Sequence, residues 1–314
     1  MNNVLITGAA GFIGSHLCEK FIREDFEVYG IDNFVSGNLK NLDKLKDFDN
    51  FHFKKHDVID DLNLGIEFDL ILHFACPASP EDFLNFPLET LKANSIGTFK
   101  TIELAESMGS RYVFASTSEI YGDPLIHPQN ENYWGNVNPI GSRSVYNEAK
   151  RFSEAVTIAY YQKKSVDVRI PRIFNTYGPN MRVNDGRIIP NFIIQALNEE
   201  SLTVYGNGSQ TRSLCYIDDL VKGIFMMSMN DNISGEILNI GNPEEYTVID
   251  IARNIIKRTG SNSDIIFKNL PEDDPKRRCP DITKAEKFLN YSPRIMLDQG
   301  LDHTIEFFRS KLFD

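Results

Sequence analysis

Two groups of residues have the types and spacing that acid–base chemistry requires. The first is Thr117, Ser118 and Glu119, which directly follow the apolar run at residues 111–115. Such a run is typical of a buried strand, and polar groups are costly to bury unless they have partners. The simpler interpretation is that the strand reaches the surface there. The polar triplet favours the other interpretation, in which a substrate lies over the end of the strand.

The second group is Tyr146 and Lys150, four residues apart in a predicted helix at residues 146–163. This spacing puts both side chains on one face of the helix. A nearby ammonium would stabilise tyrosinate and turn a phenol of pKa about 10 into a usable base near neutral pH. Tyr160 and Lys164 have the same spacing. They come at the predicted end of that helix, so we expect Tyr160 on a helix face or an interface.

A glycine-rich turn near the start of the chain predicts a dinucleotide site. Gly8, Gly11 and Gly14 follow the predicted strand at residues 4–7 and open a predicted helix. Glycine permits a tight turn and lets the backbone approach a pyrophosphate, whose charge a helix N-terminus favours. Asp32 ends the next predicted strand, where a carboxylate accepts hydrogen bonds from the adenosine ribose and repels a 2′-phosphate. The sequence therefore favours NAD over NADP.

The elements that must position these residues alternate along the first half of the chain. Strands are predicted at residues 4–7, 28–32, 51–58, 70–75, 112–117 and 166–173, and helices at 13–23, 88–108 and 146–163. Alternation of this kind indicates βαβ units in an α/β, doubly wound parallel sheet of the Rossmann type. We predict a dinucleotide-binding domain at residues 1–173, joined by part of 213–240. A smaller C-terminal substrate-binding region is predicted at 174–314.

Composition argues against several classes of partner. The 314 residues carry a formal net charge of −11, which disfavours nucleic acids and acidic membranes. The four cysteines have no paired spacing and the six histidines form no ligand pattern, so we expect reduced thiols, a cytoplasmic protein and no metal site. No Lys or Arg precedes the apolar start of the chain. We therefore expect no targeting or membrane-spanning segment.

The Gly-x-x-Gly-x-x-Gly spacing of "GAAGFIG" resembles the extended short-chain dehydrogenases/reductases, which act on nucleotide sugars. The Tyr-x-x-x-Lys of "SVYNEAKRF" and the preceding hydroxyl of Thr117 fit that superfamily's catalytic motif. The resemblance implies that NAD contacts the glycine turn, the ends of the second and third strands and the loop after the fourth. The implied cofactor-binding residues are Gly8, Gly11, Phe12, Ile13, Gly14, Asp32, Asn33, Phe34, Ser36, Gly37, Asp57, Val58, Phe74, Ala75, Tyr146 and Lys150.

The triplet that ends the fifth predicted strand differs between enzymes of this superfamily. Sugar 4,6-dehydratases of the superfamily have Thr-Asp-Glu there, and 4-epimerases lack both acids. Thr117-Ser118-Glu119 instead resembles UDP-glucuronate decarboxylases. So do the segments 73–80, 116–129, 133–141, 172–193, 202–220 and 272–289. Ser142 and Asn147 depart from that family's usual Pro and Asp, which bears on local geometry beside Tyr146.

The resemblance implies NAD-dependent decarboxylation of UDP-glucuronate to UDP-xylose through a 4-keto intermediate. Tyr146 would take the proton of the carbon-4 hydroxyl, assisted by Lys150 and Thr117. Glu119 would position the sugar and manage the proton delivered to carbon 5. Arg278 would hold the carboxylate region, with Arg277 as the alternative. The implied substrate-binding residues are Lys92, Asn175, Arg187, Tyr205, Gln210, Arg212 and Arg278.

Several alternatives stay open on sequence grounds. A nucleotide-sugar 4,6-dehydratase or 4-epimerase is the alternative among enzymes, and a non-catalytic NAD-binding regulator is the alternative outside them. The product could leave as UDP-xylose or as the 4-keto pentose. The resemblance also implies a homodimer formed through the predicted helices at 88–108 and 146–163.

Overall fold

The computed structural model describes residues 2–270 and 277–313, so the first part of the resembling segment 272–289 lies outside the described residues. The strands are β1 (Asn3–Thr7), β2 (Glu27–Asp32), β3 (Phe51–Lys55), β4 (Leu70–His73), β5 (Arg111–Phe114), β6 (Ser116–Thr117), β7 (Val168–Ile173), β8 (Thr176–Tyr177), β9 (Leu202–Tyr205), β10 (Thr211–Ser213), β11 (Cys215–Tyr216), β12 (Glu236–Ile240), β13 (Glu245–Thr247) and β14 (Ile265–Lys268). The α-helices are α1 (Phe12–Arg23), α2 (Pro80–Asn85), α3 (Pro87–Asn94), α4 (Ile96–Met108), α5 (Ser144–Lys164), α6 (Ile188–Leu197), α7 (Ile217–Met229), α8 (Val248–Thr259), α9 (Thr283–Leu289) and α10 (Leu297–Phe313).

A parallel sheet in the order β3-β2-β1-β4-β5-β7-β12 forms the centre of the fold, and the short β6 also pairs with β7. The α/β, doubly wound prediction is confirmed. The strands β1, β4 and β5 are buried almost throughout because helices cover both faces of a sheet built from crossover units. All of these strands run in one direction, so their carboxyl ends meet at one edge. Ligands bind at that edge in folds of this type.

The glycine turn packs β1, β4 and the start of α1 closely together. Gly8 has φ +73°, and a Cβ on it would lie 2.8 Å from the carbonyl oxygen of Phe74. A Cβ on Gly14 would lie only 1.9 Å from the carbonyl oxygen of Gly8. Both positions therefore require glycine, the first for its backbone conformation and the second for its lack of a side chain.

The structure divides some of the predicted elements. The helix predicted at 88–108 is broken at Ser95 into α3 and α4. Asn94, Ser95 and Thr98 each donate a side-chain hydrogen bond to a carbonyl four residues earlier, a pattern that bends helices. The strand predicted at 112–117 is interrupted at Ala115, and that predicted at 51–58 ends at Lys55. The residues after both breaks turn toward the ligand edge of the sheet.

The region after residue 174 adds three small two-stranded sheets, β8–β11, β9–β14 and β10–β13, together with α6, α8 and α10. Its apolar residues, such as Ile193, Leu220 and Phe308, belong to the same buried cluster as Ile6 and Phe21 from the first domain. The strand β12 returns to pair with β7 in the central sheet. Within the described residues no helix combines the length and apolarity needed to span a membrane.

Candidate active site

A cavity of about 730 Å³ lies over the carboxyl ends of the strands, between the sheet and the later region. A smaller cavity of about 140 Å³ lies beside it. Both cavities are lined by Gly8, Gly11, Ser36, Phe74 and Cys76, so the two form one continuous groove. The groove starts at the glycine turn and ends among residues of the C-terminal region. Its extent suits a dinucleotide placed end to end with a second ligand.

Tyr146 lies in the larger cavity with the phenol ring stacked on Phe83, 5.2 Å between ring centroids and 11° between planes. Burial raises the pKa of Tyr146, and a hydrogen bond with Thr117 acts in the opposite direction. The ammonium of Lys150 donates to the carbonyl oxygen of Ala115 at 2.8 Å and lies 5.8 Å from the centre of the Tyr146 ring, and burial lowers the pKa of Lys150. Both residues line the cavity, and the effect of Lys150 on the pKa of Tyr146 stays a prediction.

The carboxylate of Glu119 is contacted by two arginines from distant segments. Nη2 of Arg143 donates to Oε1 at 2.9 Å, and Nη1 of Arg278 donates to the same oxygen at 2.5 Å. Burial would raise the pKa of Glu119, but the charges and hydrogen bonds of the two guanidiniums lower it to about 2. Glu119 is thus an anion at neutral pH. An ionised carboxylate accepts hydrogen bonds and has no proton of its own to give, which bears on how Glu119 would manage the proton delivered to carbon 5.

The side chain of Arg278 is buried in the cavity wall, whereas Arg277 is exposed and does not line it. Besides Glu119, Nη1 of Arg278 lies 3.5 Å from Oδ1 of Asn175. Nη2 of Arg278 and Oε2 of Glu119 are buried and have no hydrogen-bond partner among the described residues. A donor and an acceptor without partners next to each other in a cavity are suited to a polar ligand. The geometry favours Arg278 over Arg277.

Asp32 lies in the wall of the smaller cavity, at the end of β2. Its Oδ2 accepts from the backbone of Ala10 at 3.0 Å, and its Oδ1 accepts from the backbone of Phe34 at 2.7 Å. A Cβ on Gly37 would lie 2.7 Å from Oδ1, so glycine lets that loop pass the carboxylate. Each carboxylate oxygen keeps a lone pair for a further donor. Phe34 and Gly37 thus hold Asp32, and neither lines either cavity.

The other predicted cofactor residues lie along the same groove. Asn33 donates to Oδ2 of Asp57 at 2.8 Å, which joins the ends of the second and third strands. The smaller cavity is lined by Gly8, Gly11, Asp32, Asn33, Ser36, Asp57, Val58, Phe74 and Ala75. The larger cavity is lined by Gly8, Gly11, Phe12, Ile13, Gly14, Ser36, Phe74, Tyr146 and Lys150. The glycine turn, with its close backbone packing and the opening of α1, fits a dinucleotide pyrophosphate.

Most predicted substrate residues are brought together in the larger cavity. These are Asn175, Arg187, Tyr205, Gln210, Arg212 and Arg278. Lys92 is the exception, because it lines the smaller cavity near Asp57 and Cys76. Sequence spacing alone does not predict which cavity Lys92 lines, because the predicted helix is divided at Ser95 into α3 and α4. Lys92 thus lies apart from the other predicted substrate residues, and its assignment to the substrate stays a prediction.

The structure also adds residues that sequence reasoning missed. Arg143 is one, although its place three residues before Tyr146 was an available signal. Arg182 is another: it pairs with Asp82 and lines the same cavity. Tyr160 of α5, which has the same spacing to a lysine as Tyr146, donates to Glu103 of α4 and lines neither cavity.

Comparison with known proteins matches this site to a family. Residues 5–304 match the family model described as GDP-mannose 4,6 dehydratase. UDP-glucuronic acid decarboxylase 1 of Xenopus tropicalis is 48% identical over 309 residues, which cover 98% of this chain and 72% of that protein. The chain belongs to the UDP-glucuronic acid decarboxylase family. The resemblance noted in the sequence is thereby confirmed.

Solved structures outside the UDP-glucuronic acid decarboxylase family share the fold. A UDP-glucuronic acid 4-epimerase from Bacillus cereus, in complex with UDP-glucuronic acid and NAD, superposes with a TM-score of 0.89, 28% identity and coverage of 98% and 99% of the two chains. A dTDP-glucose 4,6-dehydratase from Bacillus anthracis, in complex with NAD, gives 0.88 at 25% identity, with coverage of 99% and 98%. Proteins with this fold thus catalyse several different reactions, so the reaction of this chain has to be inferred from the residues of its site and not from the fold.

Replacing Asp32 tests the cofactor end of the groove. We expect Asp32→Ala to weaken NAD binding by about tenfold or more and to narrow the preference over NADP, because the variant lacks both the ribose acceptor and the charge that repels a 2′-phosphate. Calorimetric titration of both dinucleotides measures this. Asp43→Ala, an exposed carboxylate paired with Lys46, removes the same charge away from the groove and should change neither affinity. Unchanged NAD affinity in Asp32→Ala would contradict the ribose assignment.

Proposed function

We propose that the protein converts UDP-glucuronate to UDP-xylose and carbon dioxide, with bound NAD recycled in each turnover. The observation that carries this proposal is the arrangement of Arg143, Glu119 and Arg278 at the cavity wall. Nη2 of Arg278 and Oε2 of Glu119 keep hydrogen-bonding capacity that the described residues do not use. The carboxylate of a hexuronic acid is an acceptor suited to such a guanidinium, and a sugar hydroxyl is a donor suited to such a carboxylate oxygen.

The first step needs a base for the carbon-4 hydroxyl. Tyr146 would take that proton, and the hydrogen bond from Thr117 would steady the phenolic oxygen while the proton moves. NAD, when bound, would accept the carbon-4 hydride and later return it. Lys150, held by the carbonyl oxygen of Ala115, would keep a positive charge close to the developing tyrosinate.

The second step is the loss of carbon dioxide. Oxidation at carbon 4 makes the substrate a β-keto acid, in which the ketone accepts the electrons of the breaking carbon–carbon bond. Arg278 would orient the carboxylate through its unpartnered Nη2. Glu119 would not deliver the carbon-5 proton itself. Its unpartnered Oε2 would instead accept a hydrogen bond from a substrate hydroxyl or from the water that supplies the proton.

The remaining cations serve the phosphates. Arg187 is held by the carboxylate of Asp185, its Nη2 lying 2.7 Å from Oδ2, beside Phe12 of the glycine turn. We assign it to the diphosphate of the sugar nucleotide, with Asn175 and Arg212 in the same cavity. Tyr205 and Gln210, which are joined by a hydrogen bond, are assigned to the uracil end. Lys92 is assigned to the pyrophosphate of the cofactor.

Ser118 separates this reaction from dehydration. A 4,6-dehydratase must protonate the hydroxyl that leaves carbon 6, and Ser118 lines the cavity without an acidic proton to give. An NAD-binding regulator would have no need of Thr117, Tyr146 and Lys150 together in a ligand cavity. We therefore prefer decarboxylation to both alternatives.

The decisive assay is incubation with UDP-glucuronate and NAD, followed by mass spectrometry of the sugar nucleotide and of evolved carbon dioxide. Tyr146→Phe should lower kcat by roughly two orders of magnitude or more, because the base is lost. Tyr160→Phe is the matched control, since it removes a phenolic oxygen from the same helix outside the cavities, and it should keep full activity. Formation of UDP-galacturonate without carbon dioxide, or dehydration of dTDP-glucose, would overturn the proposal.

A second prediction concerns the ionisation of Glu119. The two guanidiniums keep its pKa near 2, so protonation should not limit the parent enzyme at mildly acidic pH. Arg143→Gln removes one of them and raises that pKa, so the acid limb of kcat/KM should move to higher pH, by about one unit or more, and KM for UDP-glucuronate should increase. Arg253→Gln, an exposed arginine on α8, is the control. Superimposable pH profiles for Arg143→Gln and the parent would contradict this role.

We also propose that the protein is a homodimer through α3, α4 and α5. These helices expose large apolar side chains, including Leu88, Leu91, Phe99 and Phe152, with exposed fractions between 39% and 63%. The rings of Phe99 and Phe152 lie 6.1 Å apart, so the patch is continuous across two helices. A second copy of the same face would cover it by two-fold symmetry.

Analytical ultracentrifugation tests the dimer. The parent should sediment as a dimer at micromolar concentration, and Phe99→Glu with Phe152→Glu should shift it to monomer because four charges would be buried in the interface. Phe267→Glu is the control, since this phenylalanine is exposed on β14, away from those helices. A monomeric parent would count against the dimer.

The cytoplasm is the location that we propose. All four cysteines are free, and Cys18 and Cys215 are fully buried. Free thiols persist in reducing compartments and tend to pair in oxidising ones. The thiol state therefore agrees with a cytoplasmic enzyme.

A further inference from the structure

Three side chains with metal-binding atoms lie together outside the cavities described above. They are His127, Glu245 and Cys279, whose ligand atoms all lie within 4.8 Å of one another. Nε2 of His127 is 2.8 Å from Oε2 of Glu245, and both side chains are about a quarter exposed. Cys279 is buried, with 3% exposure. Because the three residues are far apart along the chain, sequence spacing predicts no metal site here.

The donor set selects the kind of ion. Thiolate, imidazole and carboxylate together are ligands of zinc, whereas magnesium and calcium prefer oxygen donors alone. Zinc bonds of 2.0–2.3 Å in tetrahedral geometry place ligand atoms roughly 3.3–3.8 Å apart. The three ligand atoms here lie within 4.8 Å of one another, and the partly exposed side chains of His127 and Glu245 have room to adjust toward these separations. A partly exposed position leaves room for water as the fourth ligand.

The surroundings orient two of these ligands. Oγ1 of Thr211 donates to Oε1 of Glu245 at 2.6 Å, which fixes the carboxylate and leaves Oε2 for His127 or an ion. The backbone of Cys279 makes two hydrogen bonds with Gln129. The backbone N–H of Gln129 donates to the carbonyl oxygen of Cys279 at 2.9 Å, and the backbone N–H of Cys279 donates to the side-chain Oε1 of Gln129 at 2.9 Å. Supporting hydrogen bonds of this kind are usual around metal ligands.

We propose that His127, Glu245 and Cys279 bind one Zn²⁺ ion with water as the fourth ligand. The thiol of Cys279 loses its proton to solvent as the zinc–sulfur bond forms. The ion joins the loop before Gln129, the strand β13 and the segment that carries Arg278. Because Arg278 precedes Cys279 directly and contacts Glu119, the ion fixes one side of the larger cavity from behind its wall.

The test uses full-length protein stripped with a chelator and desalted, then titrated with Zn²⁺ against a chromophoric chelator. We expect one equivalent to bind with micromolar or tighter affinity and to raise Tm, because an ion that binds only the folded state stabilises it. Titration with Co²⁺ should produce a sulfur-to-cobalt charge-transfer band in the near ultraviolet. Cys279→Ser should abolish this band and weaken zinc binding at least tenfold, and His127→Gln should weaken it similarly.

His52→Gln is the matched control, because Nε2 of His52 is 3.0 Å from Oε2 of Glu27 with no cysteine described beside the pair. It should leave affinity and band unchanged. Glu245→Gln, which keeps the shape of the side chain, provides a second variant should Cys279→Ser fold poorly. Absence of stoichiometric binding, or binding and a cobalt band that survive in Cys279→Ser and Glu245→Gln, would overturn the proposal. Loss of the band only in Cys76→Ser would place the ion in the groove instead and would equally overturn it.

Discussion

The site depends on a buried ion pair between α5 and β7. Nε and Nη2 of Arg172 each donate to the carboxylate of Glu154 at 2.9 Å, and Nη1 donates to the hydroxyl of Tyr121 at 3.0 Å. Ser116 donates to the same carboxylate. Removal of one partner of such a pair leaves the other charge buried without compensation and lowers the stability of the fold by about 3–5 kcal/mol. The pair therefore fixes the helix that carries Tyr146 against the strand end that carries the polar triplet.

Specific partners explain why a buried strand can end in polar residues. Ser116 bonds to Glu154 of the ion pair, Thr117 bonds to Tyr146, and Glu119 bonds to two guanidiniums. The low-dielectric surroundings make these bonds strong and make the unpartnered atoms costly. Two of these atoms, Nη2 of Arg278 and Oε2 of Glu119, belong to residues that line the larger cavity, where a ligand could supply partners.

Sequence reasoning reached the features that depend on short stretches of chain. The glycine turn, Asp32 and the Tyr146–Lys150 pair were all predicted because strand, turn and helix geometry fixes them locally. It missed features set by packing at long range. Lys92 was predicted to bind the substrate, but it lines the smaller cavity, apart from the other predicted substrate residues. Of the two contacts on Glu119, the one with Arg278 joins residues 159 positions apart. No rule of sequence spacing predicts such a contact or its effect on the pKa of Glu119.

The return of β12 to the central sheet has a consequence for how the molecule can be divided. The chain leaves the sheet after β7, builds part of the region after residue 174, and then re-enters through β12, which pairs with residues 169–173 of β7. A fragment ending at residue 173 would expose the edge of β7, whose main-chain groups would be open to pairing with other chains. The region after residue 174 therefore cannot be exchanged between relatives at a single junction. Altered sugar specificity would have to arise from substitutions within the intact architecture.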